Sequence, residues 1–446
     1  MYNALESSDE VSRLFPEGHE LYSLGRPTFN TIRRALAGPW ISCIWNDAKQ
    51  DPTRAGFRRS YDDVYGPGSI NVMPAIASWL STGPGSGAEG NRIALPAGID
   101  RSVVQYAIDR GLLGEHEYVF SIADLRKRVR TSGRMLYSID DLGSAFDEYT
   151  VISSDVSEWL NSKDDLATIS AYAPNEIIKN MYDVSRQDYR HVLGDGRRVY
   201  LKTNNTEAAG EGVFICNSED EFEEHMDDIK ARQEQFKLNE SLVIQPELTG
   251  ENRNFQVFLD PKRPDCIQVI ALTDQHVEDD GKTYKSSVNY PITPETVALV
   301  GPVIVDMVKR IRERAPDAFG FLMCDFFQDG DKITIYDPGI RPTGNTATAM
   351  VLHFTAMLTG HDLYVQNFHI DTRTPGYQFG EFCTRMGSLV ELDYIAREHR
   401  GVLPWGWNHV TGFGSLVGVA PDKAAWQAMV DYIRTAYTKT HNIRTA

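Results

Sequence analysis

Cysteine is scarce. The 446 residues hold five, at positions 43, 216, 266, 324 and 383, and no two of them stand in a CxxC pair. That weakens any reading as a zinc ribbon or a disulfide framework, and reduced thiols are the simple expectation. No apolar run approaches the roughly 20 residues that cross a bilayer. The N-terminal stretch MYNALESSDEVSRLF has neither the basic start nor the apolar core of a secretory signal, so a cytoplasmic chain is expected. Basic residues are in deficit: 45 Lys and Arg face 62 Asp and Glu, for a formal net charge of −17. A nucleic-acid binder needs a basic footprint over phosphates, so that class is disfavoured, although a local cationic pocket for one anionic ligand is not. GxxxxGK[ST] does not occur, which removes the main support for a P-loop. GxGxxG occurs as Gly85-Ser86-Gly87-Ala88-Glu89-Gly90, inside a Gly/Ser/Pro-rich loop, and such a lone match is weak support for a Rossmann dinucleotide site.

What remains is the composition of a soluble globular chain, 41 % hydrophobic and 24 % charged, long enough for two to four domains. Short apolar segments at 40–45 and 91–95 read as strands, and 102–110 has helical period, which together suggest an α/β unit up to about residue 150. STGPGSGAEG at 81–90 reads as a loop. Beyond it, 154–171 reads as helical. Strands are expected at 198–202, 213–216, 241–245, 254–259 and 266–273, with a charged helix N-capped by Ser218 running to about 236. Thr293-Pro294 opens a helix, Pro302 falls inside it, and the strands 321–327 and 332–336 are joined by the hairpin turn Gln328-Asp329-Gly330-Asp331. Helices are expected again at about 346–359 and 422–438.

The chemistry concentrates between Lys163 and Arg341. Two lysines, Lys163 and Lys202, lie about forty residues apart, and a Gly-containing loop at 203–212 follows the second. Two acids, Asp325 and Asp337, end neighbouring strands, and Arg341 lies four residues beyond the second. A triphosphate held in a dry cleft needs fixed cations, which the lysines supply. Backbone N–H groups of Ala209, Gly210 and Gly212 can approach phosphate oxygens. Carboxylates on adjacent antiparallel strands converge on one Mg²⁺, and Arg341 can neutralise charge on a transferred phosphoryl or an oxyanion. Each residue alone has an ordinary reading as a solvated charge or a turn; the order and spacing of all these features together set them apart.

These residues resemble the ATP-grasp enzymes. Asn161-Ser162-Lys163 resembles their first nucleotide-lysine segment, and Tyr200-Leu201-Lys202 with Ala208-Ala209-Gly210-Glu211-Gly212-Val213 resembles the second lysine and the phosphate-covering loop. Val243-Ile244-Gln245-Pro246-Glu247-Leu248 resembles the adenine hinge, Cys324-Asp325-Phe326-Phe327 the first metal-ligand strand, and Asp337-Pro338-Gly339-Ile340-Arg341-Pro342 the second metal-ligand loop. The resemblance implies an α/β (α+β) ATP-grasp fold with a pre-grasp domain at 1–150, the grasp domain at 151–350 with nucleotide between its two subdomains, and a C-terminal extension at 351–446. It implies ATP and Mg²⁺ as cofactors. Lys163, Lys202, Ala209, Gly210, Gly212, Gln245, Glu247, Leu248, Asn254 (at the ribose) and Phe327 (on the adenine face) would hold the nucleotide. Asp325, Asp337 and Asn345 would hold metal, and Arg341 and Lys202 would be catalytic.

Two departures from the family pattern are visible: the second acid is Asp337 in place of Glu, and Gly339 stands where the family has Asn, so that Asn345 is the expected substitute. Arg253, Gln275, Tyr284, Ser287 and Arg341 are expected toward the substrates. The Thr273-Asp274-Gln275 segment and the Arg-Pro-Thr-Gly ending are similar to those of pheganomycin-type peptide ligases. The implied activity joins a carboxylate to the amine of a peptide through an acyl phosphate, releasing ADP and phosphate. Small-molecule carboxylates and amines or peptides are the implied partners, with no nucleic acid or membrane and with room for a homodimer. The alternatives are an ATP-grasp ligase for small amino acids or carboxylates, and a nucleotide binder without turnover.

Overall fold

The structure is a computed structural model. It describes residues 20–23, 40–42, 92–96 and 100–441, except 111–114, 139–143, 204–211, 237–239, 265, 278–283, 291, 373, 375 and 409–411. The loop expected at 81–90, and Ala209 and Gly210, lie outside the described residues.

Among the described residues, three sheets organise the chain. β1 (Glu20–Ser23) pairs in parallel with a strand of the largest sheet, described below. β2 (Trp40–Ser42), β3 (Arg92–Pro96), β4 (Glu115–Val119) and β5 (Leu136–Ser138) form an all-parallel sheet in the order β4-β3-β2-β5. Helix α1 (Arg101–Asp109) supplies the crossover from β3 to β4 and helix α2 (Ile122–Ser132) the one from β4 to β5. The Ser121 hydroxyl accepts from the Asp124 N–H to start α2, and Gly133 ends it at φ 64°.

Helices α3 (Ser154–Asn161) and α4 (Leu166–Ile169) follow, split where one helix over 154–171 is expected. The break is at Ser162-Lys163-Asp164-Asp165: the Ser162 hydroxyl bonds the Asp164 carboxylate, a local partner that competes with helical continuation. β6 (Ile177–Asn180), α5 (Arg186–Gly194), β7 (Val199–Thr203), β8 (Val213–Cys216), α6 (Glu219–Phe236) and β9 (Ser241–Pro246) make a small unit. Its antiparallel sheet runs β6-β9-β7-β8 over its own core of Tyr189, Leu201, Phe222, Ile229 and Leu242.

The largest sheet holds β10 (Glu251–Leu259), β11 (Cys266–Val277), β12 (Tyr284–Tyr290), β13 (Gly320–Asp329), β14 (Lys332–Gly339), β15 (Tyr364–Asp371), β16 (Gly401–Asn408) and β17 (Phe413–Ala420). Their order is β14-β13-β10-β11-β12-β15-β17-β16. Helix α7 (Pro294–Arg314), N-capped by Thr293 with Pro294 in its first turn, runs through Pro302 and buries Val300, Ile304, Met307 and Ile311 against one face. Helix α8 (Gly344–Thr359) is buried along most of its length. The 350/351 division falls within α8, and the strands after it continue the sheet that carries the two acids, so the last hundred residues share a core with what precedes them. Helix α9 (Phe379–Met386) packs on α1, and the Phe379 N–H donates to Asp100 Oδ2 at 2.6 Å.

The parallel sheet is locked to the large one at Tyr137. Its ring is fully buried, and its hydroxyl accepts from the Phe321 N–H at 3.2 Å. Gly320 sits at φ +113°, and a Cβ there would lie 2.6 Å from the Tyr137 ring. Gly320→Ala therefore combines backbone strain with overpacking, and is expected to cost about 2–4 kcal/mol. A urea midpoint shifted in proportion would show it, and an unchanged midpoint would refute it.

Candidate active site

The hairpin β13-β14 builds the acidic end of the site. Asp325 and Asp337 are direct cross-strand partners, with a register shift immediately after Asp325. A directly opposed pair puts Cβ atoms about 5 Å apart, so both carboxylates serve one small region. Asp325 Oδ1 accepts from Asn254 Nδ2 at 2.5 Å and from Gln275 Nε2 at 2.7 Å. Burial, reinforced by Asp337, pushes the Asp325 carboxyl up to about 7, against the opposing pull of the two amides and Arg341. Two amides on one oxygen leave Oδ2 as the outlying acceptor.

Among the described residues no group of three or more His, Cys, Asp or Glu could hold a metal. A pair of carboxylates short of positive charge nonetheless suits Mg²⁺, which is held by one or two carboxylates plus substrate phosphates rather than by an all-protein cage.

The cationic end comes from the small unit. Lys202, on β7, is 5 % exposed; its Nζ lies 3.5 Å from the Tyr336 carbonyl oxygen and 5.3 Å from the Tyr336 ring centroid. Burial lowers its pKa to about 8, while Glu176, Asp337 and Asp325 pull it back up and Lys163 pushes it further down. Those mutual effects place both lysines and both acids in one electrostatic neighbourhood. Lys163 is itself 8 % exposed in the break between α3 and α4. Gly212, at φ 72°, turns the chain so that its carbonyl accepts from the Thr203 N–H at 2.9 Å, closing the base of the loop after Lys202. Arg341 donates from Nη1 to Asn161 Oδ1 at 2.6 Å.

The hinge segment is β9 and its exit. Gln245 is 3 % exposed and pairs with Tyr200. The Glu247 carboxylate is taken by Arg198, from whose Nε it accepts at 2.8 Å, and the Glu247 N–H donates to the Arg198 carbonyl. Its Oε2, its backbone carbonyl and the backbone of the half-buried Leu248 remain for a ligand. Phe327 packs at 5.1 Å from the Tyr336 ring.

Several expected roles are redistributed. Asn254, expected at a ribose, is fully buried and bonded to Asp325 instead, because it lies directly opposite that acid on β10. Gln275, expected toward substrate, shares the same carboxylate oxygen. Arg253 is only 6 % exposed: Asp274, Glu251 and Gln328 bond its guanidinium, and Tyr290 stacks on it at 3.9 Å, so it braces three strands. Ser287 is fully buried, with its N–H on Asn367 Oδ1 and its hydroxyl 3.2 Å from that of Thr348. The Tyr284 backbone pairs with Val277, and its side chain lies outside the described residues. Asn345 is buried in the first turn of α8. The place a side chain at Gly339 would take is held by another residue: a Cβ there would lie 3.0 Å from Asn161 Oδ1 and 3.2 Å from Met323 Cε.

Glu176 escapes sequence reasoning, and Asn161 is legible there only as part of the first lysine segment, with no role of its own. The Glu176 side chain is 6 % exposed, with Oε1 unbonded and 4.0 Å from Lys202 Nζ, and burial pushes its carboxyl up to about 7. No spacing advertised it; only the approach of β6 to β7 across β9 brings it in.

No protein-family profile matches the chain, and neither does any curated protein sequence. Solved structures do. Phosphoribosylamine–glycine ligase from Thermotoga maritima aligns with a TM-score of 0.54 at 10 % identity, covering 88 % of this chain and 95 % of that one. The N5-carboxyaminoimidazole synthase of Aspergillus clavatus, in complex with ADP and 5-aminoimidazole ribonucleotide, aligns with a TM-score of 0.53 at 11 % identity, covering 89 % and 99 %. The biotin carboxylase domain dimer of the Hydrogenobacter thermophilus 2-oxoglutarate carboxylase, with MgADP and bicarbonate, aligns with a TM-score of 0.53 at 12 % identity, covering 90 % and 89 %. The protein has the ATP-grasp fold, of mixed helix and sheet. Among the described residues no helix is long and apolar enough to cross a membrane.

Proposed function

We propose that the protein is an ATP-dependent ligase that joins a carboxylate to an amine through an acyl phosphate, releasing ADP and phosphate. The observation that carries this reading is the cross-strand pair Asp325–Asp337 beside the buried Lys202, whose Nζ lies 3.5 Å from the carbonyl oxygen of Tyr336, the residue before Asp337. Phosphoryl transfer is chiefly positioning and charge neutralisation, which is what such an arrangement offers. Lys163 and Lys202 would hold phosphate oxygens. Asp325, aimed by Asn254 and Gln275, and Asp337 would hold Mg²⁺, which when bound neutralises charge on the phosphates. Gln245, Glu247 and Leu248 would line the adenine edge, and Phe327 its face. Arg341 would meet the transferred phosphoryl and then the oxyanion formed when the amine attacks. The chain after Lys202, including Ala209, Gly210 and Gly212, would cover the phosphates and keep water from the acyl phosphate.

The resemblance of the Thr273-Asp274-Gln275 segment and the Arg-Pro-Thr-Gly turn to pheganomycin-type ligases supports a peptide as the amine, as in the assembly of peptide natural products, by a cytoplasmic enzyme with room for a homodimer. Several solved proteins of the same fold carry ADP, one of them beside an amine-bearing ribonucleotide, which supports ATP as the cosubstrate.

A screen of carboxylates and amines with coupled detection of nucleotide tests the reading. ADP and phosphate are the expected products; AMP and pyrophosphate would replace it with an adenylating mechanism. Nucleotide binding without turnover for any acid and amine pair would leave only a binding role.

A further inference from the structure

Arg341 is placed by a residue outside its own segment. Asn161 ends α3, 180 positions away in sequence, and its Oδ1 accepts from Arg341 Nη1 at 2.6 Å. The amide can face only one way. Its Nδ2 donates to the Ser157 carbonyl oxygen at 2.7 Å and lies 3.3 Å from the Ser157 hydroxyl. A carbonyl oxygen cannot donate and a guanidinium cannot accept, so Oδ1 must be the atom turned to Arg341. The main chain makes room for it: a Cβ on Gly339 would come 3.0 Å from that oxygen and 3.6 Å from Arg341 Nη1. The glycine, the amide and the guanidinium thus fill one space between α3 and the end of β14.

We propose that Asn161 is the positioning residue that aims the Arg341 guanidinium at the transferred phosphoryl group, and that residue 339 is glycine so that this amide can enter. Asn suits the task better than Asp. A neutral oxygen holds the guanidinium without cancelling its charge, whereas a carboxylate would pair with it and weaken its pull on a phosphoryl oxygen. The same geometry ties α3, the helix that leads into Lys163, to the loop that carries Arg341, so one hydrogen bond sets two cations in register.

The inference rests on the ligase reading of Arg341, and the experiment separates the two. Kd values for MgADP and for the magnesium complex of the non-hydrolysable β,γ-imido analogue of ATP are measured on the parent, Asn161→Ala, Asn161→Asp, Arg341→Ala, Gly339→Ala, and the doubles Asn161→Ala/Arg341→Ala and Asn161→Ala/Gly339→Ala. Only the triphosphate analogue offers the group that Arg341 meets. Asn161→Ala is expected to weaken it about tenfold and to leave MgADP unchanged within about threefold, the size of losing one charge-assisted hydrogen bond's guidance. Asn161→Asp, which also loses the amide N–H bond to the Ser157 carbonyl oxygen, is expected to weaken the analogue as much while again sparing MgADP, a separation of the two nucleotides that a merely structural asparagine would not give. Asn161→Ala/Arg341→Ala should be no worse than Arg341→Ala alone. Gly339→Ala should mimic Asn161→Ala and add nothing to it.

An analogue affinity unchanged in Asn161→Ala, or a loss that adds in full to that of Arg341→Ala, would overturn the inference while leaving the ligase reading in place. A parent that binds neither nucleotide would overturn the ligase reading, and this inference with it.

Discussion

Asp325→Asn is expected to abolish ADP release, by about a thousandfold or more, and at the same time to make the nucleotide-free protein more stable. The two effects have one cause. Asp325 faces Asp337 directly across the hairpin, and burial with that neighbour raises its carboxyl from an ordinary 3.8 to about 7. An acid whose folded pKa lies above its unfolded one binds more protons folded than unfolded between those values. Its contribution to stability therefore falls as pH rises from about 4 to about 7 and stays lost above that. Asn254 and Gln275 relieve part of the repulsion, and a carboxylate edge that still meets water relieves more. The net gain on substitution is therefore about 1–2 kcal/mol at pH 8, shrinking toward pH 4. Thermal melts of parent and variant across pH 4–8 read the stability, and an ADP-coupled assay reads the activity. Wild-type turnover at saturating ATP would sink the assignment, and a variant less stable than the parent at pH 8 would sink the account of repulsion.

The second large effect is expected at Lys202. Lys202→Ala removes a cation that is 5 % exposed, leaving Glu176 buried without its counter-charge, and should stop ADP formation with affinity for MgADP reduced roughly a hundredfold. The pH dependence of the parent is expected to show the same lysine at work. Burial lowers its pKa to about 8, so the ammonium is present at neutral pH and is lost as pH rises through 8. MgADP affinity should hold up to that point and fall above it, approaching tenfold per pH unit.

Glu176, itself held up to about 7, is ionised where Lys202 titrates and favours the ammonium. Glu176→Gln should therefore move the alkaline limb to lower pH, by up to about one unit. Isothermal titrations between pH 6 and 9.5 measure both. A limb that stays in place in Glu176→Gln would show that the carboxylate does not tune the lysine, and full MgADP affinity in Lys202→Ala would remove Lys202 from the phosphate site.

Much of this site is legible along the chain because its parts are local. The lysine at the end of β7, the Gly-containing loop after it and the two acids on one hairpin are bound to one another by short spacings. Regular hairpin pairing would set Asp325 opposite Tyr336; the register shift between Asp325 and Phe326, which the sequence does not announce, opposes it to Asp337. The split between α3 and α4 is harder to read, since helical period continues across 154–171 and only the Ser162–Asp164 bond interrupts it. Arg253 and Ser287 read as open polar residues because sequence does not show what stands beside them; three neighbouring strands enclose the one, and Asn367 and Thr348 the other.

The sequence by itself determined the kinds of groups in the cleft and their order: two lysines, two acids, one arginine, and the alternation of strands and helices that carries them. Periodicity and capping are properties of neighbours in the chain, and so are readable there. Tertiary structure alone decided which amides serve those charges. Asn254 and Gln275 reach Asp325 only through the pairing of β10 with β13 and β11, Glu176 meets Lys202 only through the small sheet, and Asn161 reaches Arg341 across 180 residues. A hydrogen bond or a Coulomb contact acts over a few ångströms of space whatever the length of chain between its partners. These supporting contacts leave no period or motif in the sequence, and it is they that set the pKa values and the aim of the residues that do.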